Sequence, residues 1–107
     1  MSTLIKPGVS LKNLQPQMLI ALDVVADVCD EFDVPCVITD GWRNRKKHPR
    51  SLHPHGYALD FRTRDLKTPQ RMRRFSDTIR KRLGKEYFCL MEFKKSHLHI
   101  EYDPDGS

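Results

Sequence analysis

Four of the five histidines fall in two short stretches. Residues 51–60 read Ser-Leu-His-Pro-His-Gly-Tyr-Ala-Leu-Asp and contribute His53, His55 and the carboxylate of Asp60. Residues 96–101 read Ser-His-Leu-His-Ile-Glu and add His97, His99 and Glu101. Imidazoles and carboxylates are the side chains that hold a hydrolytic zinc ion, which takes three protein ligands and leaves a fourth position for water or substrate. His53, Asp60 and His99 form the expected ligand set, with His55 as the competitor of His53. No cysteine lies beside them to close a structural site, so the expected chemistry is hydrolysis by metal-activated water. Scattered surface histidines are the plain alternative, and the clustering makes it the weaker one.

These residues need elements that bring them together. In residues 97–102, Leu98, Ile100 and Tyr102 alternate with His97, His99 and Glu101, the period of a half-buried strand. Residues 57–62 alternate likewise, with Tyr57, Leu59 and Phe61 on the apolar side and Asp60 on the other. If both strands join one sheet, Asp60 and His99 open into the same cleft. Residues 87–93 read as a further strand, with Lys94-Lys95 as the turn, and Val34 to Thr39 is a β-branched run with the same reading. Two helices are expected. The first starts at Pro16 and carries Met18, Leu19, Leu22, Val25, Ala26 and Cys29 on its apolar side. The second opens at Thr68-Pro69, carries Met72, Phe75, Ile79 and Leu83, and ends at Gly84. Residues 1–13 read as an irregular lead-in. The fold expected is α+β: a small antiparallel sheet with two helices on one face and the zinc cleft on the other.

Composition bounds the rest. The 107 residues suit a single domain over residues 1–107, and the mixed charge argues against disorder. No run approaches the ~20 apolar residues of a membrane span, so no membrane insertion is expected. The first residues lack a basic segment followed by an apolar run, which predicts synthesis in the cytoplasm without a signal peptide. Cys29, Cys36 and Cys89 are odd in number and set among apolar neighbours, so buried free thiols are expected. The net charge of +5 favours polyanionic surroundings. Arg43, Arg45, Lys46, Lys47 and Arg50 make a basic loop after Asp40-Gly41, in which Arg43 is the expected anion grip. The arginines of the second helix read as a solvated face rather than a nucleic-acid surface, and Trp42 alone provides no stacking platform.

The pattern Ser51-x-His53-x-x-Gly56-x-Ala58-x-Asp60 followed by His97-x-His99 resembles the zinc peptidases of the D-alanyl-D-alanine carboxypeptidase type, whose metal-binding fold is shared with the signalling domain of hedgehog proteins. The segment from Val37 to Arg43 is similar to the strand and Gly-aromatic-Arg portion that precedes the histidine there, so the likeness spans about residues 16 to 102. The resemblance implies that His53, Asp60 and His99 bind Zn2+, that Arg43 holds a substrate carboxylate or polarises its carbonyl, and that His97 stabilises the oxyanion or moves protons. It also implies that Ser51 hydrogen-bonds within its loop and that Gly56 and Ala58 are small because the loop lies close to the sheet.

The implied function is zinc-dependent cleavage of peptide bonds in bacterial peptidoglycan, in stem or cross-link peptides containing D-amino acids. The expected protein is a monomer acting in the cell wall or periplasm, released by another factor as short phage lysis enzymes are. One position departs from the family. Many members carry a carboxylate three residues before the last zinc histidine, and here that residue is Ser96. The general base is then expected at Glu92, with Glu101 and His97 as the other candidates. The alternative function is a non-catalytic, zinc-stabilised binding domain of the same fold.

Overall fold

The computed structural model describes residues 3–42 and 56–104. In chain order they form β1 (Thr3–Ile5), α1 (Pro16–Glu31), β2 (Cys36–Asp40), β3 (Ala58–Arg62), a 3-10 turn (Arg64–Leu66), α2 (Pro69–Leu83), β4 (Tyr87–Glu92), a 3-10 turn (Phe93–Lys95) and β5 (His97–Tyr102). The five strands lie in the order β1-β2-β3-β5-β4. The fold is α+β with two helices, as expected, but the sheet is mixed: β1 runs parallel to β2, and the remaining neighbours are antiparallel. The expected irregular lead-in therefore contains a strand. Its three residues are too few to show a period, and two of them are exposed.

Helix α1 starts where proline needs no N–H partner and stops at Phe32, after which Asp33 turns the chain with φ +56°. Its buried side is Met18, Ala21, Val25, Val28 and Cys29. That stripe is rotated from the expected one, because Ala21 and Val28 face the sheet while Leu19 is 51% exposed. Small and β-branched side chains let the helix approach the sheet closely, which a hydrophobicity reading underweights. Helix α2 follows its sequence signals. The Thr68 hydroxyl accepts from the Arg71 N–H at 3.2 Å, Pro69 opens the first turn, and Gly84 ends the helix with φ +84°.

Both helices cover one face of the sheet. Cys36 and Ile38 of β2, Leu59 and Phe61 of β3, Leu98 and Ile100 of β5, and Cys89 and Met91 of β4 join the helical stripes in one buried cluster. The three cysteines are free and buried there. Burial pushes the Cys89 thiol up to about 11, so it stays protonated and unreactive at neutral pH. Strand alternation sends the polar partners of these residues to the opposite, open face.

The lead-in closes over one end of the sheet. The Trp42 N–H donates to the Ser10 carbonyl at 2.7 Å, and the Gln15 N–H donates to the Gly56 carbonyl at 3.0 Å. Both approaches need glycine. A Cβ on Gly41 would stand 2.3 Å from the Ser10 oxygen, and one on Gly56 would stand 1.7 Å from the Asn13 oxygen. The smallness expected of Gly56 therefore has its cause in backbone contact with the lead-in. These contacts anchor the chain on both sides of residues 43–55, the segment that carries His53.

Gly56 and Gly84 both have positive φ, but a Cβ on Gly84 would meet open space. Gly84→Ala is expected to cost ~1–3 kcal/mol through backbone strain alone. Gly56→Ala adds a backbone collision and should cost clearly more. Urea unfolding of the two variants checks the order, and equal losses would show that the lead-in does not clamp Gly56.

Candidate metal and catalytic site

The pairing of β3 with β5 places Asp60 opposite His99 and Arg62 opposite His97. Leu59 and Phe61 on one strand and Leu98 and Ile100 on the other face the helices, so the register is fixed by burial. Asp60 and His99 then meet on the open face. His99 Nδ1 lies 2.7 Å from Asp60 Oδ1, and His99 Nε2 lies 2.8 Å from Glu101 Oε1. The imidazole is thus held between two carboxylates. Asp60 itself is only 2% exposed. A carboxylate so far from water must be paired, and an imidazolium or a metal cation is the partner its position admits.

Burial pushes the His99 pKa down, but the hydrogen bonds and charges of Asp60 and Glu101 outweigh it and raise the value above the ordinary 6.5. Without metal the ring is therefore readily protonated and donates to both neighbours. Glu101 has the role of a positioning group: by accepting from Nε2 it leaves Nδ1 as the nitrogen that faces Asp60.

One row along the sheet, β4 pairs with β5 so that Glu92 lies opposite His97. His97 Nε2 is 3.2 Å from Glu92 Oε1, and the Lys95 ammonium is 3.4 Å from Glu92 Oε2. Two of the three sequence candidates for proton transfer are thus in contact with one another. Ser96, at φ +54°, makes the left-handed turn that starts β5.

The seven expected site residues are accounted for as follows. Asp60 and His99 are brought together, and Glu92 and His97 form a second pair on the same face. Arg43, Ser51 and His53 lie outside the described residues, as does His55, the competitor of His53. Among the described residues no three His, Cys, Asp or Glu side chains form a metal-holding group. Of the expected ligand set, Asp60 and His99 lie among the described residues.

The structure adds a residue that the sequence reading passed over as a turn. Strand β2 continues through Asp40, and an irregularity between Ile38 and Asp40 puts Asp40 opposite Asp60 in the ladder. A bulge of this kind breaks the alternation and re-aims the residue that follows it. The Asp40 Oδ1 atom accepts from the Gly41 N–H at 2.9 Å. Like charges at facing positions disfavour each other, so Asp40 makes the Asp60–His99 row a stronger attractor for cations. Its sequence signal was the Asp-Gly pair, which also signals a strand end.

In chelator-treated protein, the contribution of His99 to stability is expected to depend on pH. Its folded-state pKa lies above 6.5, so the stabilisation is full below about 6.5 and is lost as pH rises through the folded-state value. The stability gap between the native chain and His99→Gln should narrow as pH rises above about 6.5. Urea melts in chelator across that range measure it, and a gap that widens with pH would contradict the paired imidazolium. Comparison of the chain with protein-family models, with curated proteins and with solved structures found no match.

Proposed function

We propose that this protein is a zinc-dependent peptidase that cleaves stem or cross-link peptides of bacterial peptidoglycan. The observation that carries the reading is the Asp60–His99 contact of 2.7 Å on the open face, with the Glu92–His97 pair beside it. Its further support is the spacing of Ser51, His53, Gly56, Ala58 and Asp60 followed by His97 and His99.

The residues present fit zinc. Asp60 is buried and anionic, His99 offers a nitrogen toward it, and Glu101 holds the ring from behind. His53, Asp60 and His99 would hold the ion. Bound zinc supplies Lewis acidity to a carbonyl oxygen and to a water molecule. Glu92 takes the proton of the attacking water and returns it to the leaving amine. His97 keeps Glu92 oriented through its Nε2 contact and, when protonated, donates toward the oxyanion. Arg43 anchors a carboxylate of the substrate, and Ser51 orders the loop that bears His53. The site of action is the cell wall or periplasm, and the acting species is a monomer.

Three arginines of the basic second helix serve its packing. Arg71 donates to the Phe32 carbonyl, Arg80 donates to the Cys89 carbonyl and pairs with Asp77, and Arg82 pairs with Glu31. Those arginines tie α2 to α1 and β4. No helix among the described residues is long and apolar enough to cross a membrane. A second reading, a zinc-stabilised binding domain without turnover, is favoured by Ser96 at the position where many of the zinc peptidases that the sequence resembles carry a carboxylate.

Digestion of defined peptidoglycan fragments with and without chelator, followed by mass spectrometry, tests the proposal. Chelator-sensitive release of amino acids or peptides is expected. His53→Ala, Asp60→Ala and His99→Ala should lose both zinc and activity. Glu92→Gln should retain zinc and lose ~100-fold or more of the turnover, the usual weight of a general base. Bound zinc with no cleavage of any fragment would select the binding domain, and cleavage that survives chelator would remove the metal from the mechanism.

A further inference from the structure

The open face carries a second feature, next to the Asp60–His99 row. A cavity of about 290 Å³ is lined by Lys6, Thr39, Arg62, Arg64, Lys95 and His97, among others. Its position follows from the ladder. Arg62 and His97 face one another one row beyond Asp60 and His99, and two residues of strand span about 7 Å. Lys6 arrives from the end of β1, where its N–H donates to the Ile38 carbonyl at 2.9 Å. Arg64 and Lys95 come from the two 3-10 turns at the same end of the sheet.

The charges in this cavity are not balanced from within. Arg62 uses Nε on Asp65 at 2.8 Å, which leaves its terminal amino groups for the cavity. Lys95 shares Glu92 with His97. Lys6 and Arg64 have no ion-pair partner among the described residues. The Thr39 hydroxyl is buried without a hydrogen-bond partner. Four cations and an unused hydroxyl around one concavity concentrate positive potential where an anion can be reached by several donors at once.

We propose that Lys6, Arg62, Arg64 and Lys95 form an anion subsite that takes a carboxylate of an acidic peptide bound across the Asp60–His99 row. The identity of the ligand as a peptide rests on the peptidase reading. The subsite selects peptides with an acidic residue within about two positions of the bond that lies at Asp60 and His99. The cavity suits a side-chain carboxylate better than a nucleic-acid strand, because it is a local concavity with no aromatic platform in its lining.

The test is calorimetric binding of N-acetylated, C-amidated alanine pentapeptides, in L and D series, to the zinc-loaded full chain. Each peptide carries one glutamate or one glutamine at a given position. The glutamate form is expected to bind about ten-fold or more tightly than its glutamine partner, as one well-made charge-assisted contact allows. The Lys6→Gln/Arg64→Gln double variant should reduce that ratio to about three-fold or less. Arg74→Gln/Lys81→Gln removes the same charge from exposed positions of α2 and should leave the ratio intact.

Equal affinity for both forms, absence of binding, or a ratio that falls only in the α2 variant overturns the proposal. Binding is read without turnover, so the two readings separate. A charge-dependent ratio with no cleavage of any fragment removes the peptidase and leaves the subsite. Cleavage with equal affinities for both forms does the reverse.

Discussion

Asp60 is a carboxylate held almost entirely out of water, and the sheet is arranged so that it does not stand alone. Leaving such a group unpaired costs several kcal/mol, more than most single contacts contribute. Its partner is His99, delivered by the β3–β5 register, and that register is enforced from the other side of the sheet. Leu59, Phe61, Leu98 and Ile100 are all buried under the helices. A slip of one residue would send Asp60 into the core and Leu59 into the cleft. The hydrophobic face thus sets the polar one. Every functional reading of this chain depends on that coupling.

The same logic decides what could be read without coordinates. The Asp60–His99 pairing was legible because both strands alternate strictly and each has one apolar face. Helix α2 was legible because its cap, its proline and its terminal glycine all agree with the buried stripe of Met72, Phe75 and Ile79. Strand β1 was not. It has three residues and gains its place only by parallel pairing with β2, a contact far away in sequence. Asp40 was misassigned for a related reason: its position comes from a bulge, and a bulge breaks the period from which faces are inferred. The rotated stripe of α1 is a third case, in which the closeness of the helix to the sheet selects Ala21 and Val28 over Leu19.

The site divides in the same way. The contact between His97 and Glu92 depends on β4 lying beside β5, which a short turn through Phe93–Lys95 makes predictable. The binding of His99 by Glu101 follows from their sharing a face two residues apart. The contribution of Lys6 could not be seen, because it requires β1 to be a strand at the sheet edge. His53, Arg43 and Ser51 lie outside the described residues. The flanks of their segment are nevertheless fixed, through the Ser10–Trp42 and Gln15–Gly56 hydrogen bonds.

The open face is graded in chemistry. Phe88 and Leu90 are exposed on β4, the imidazoles and carboxylates occupy β5 and β3, and the cations gather where β1, Arg62 and the 3-10 turns meet. Such a gradient gives an extended ligand a direction. A peptide laid across the strands would place an apolar portion near Leu90 and an acidic portion near Lys6 and Arg64, with the intervening backbone over Asp60 and His99. The reverse orientation would set a carboxylate against exposed aromatic and aliphatic side chains and leave the cations of the cavity unmatched, so it forfeits both sets of contacts. On the proposed peptidase reading, specificity on this face would arise from what the wrong orientation loses, and the Asp60–His99 row would need only to hold the backbone that passes between.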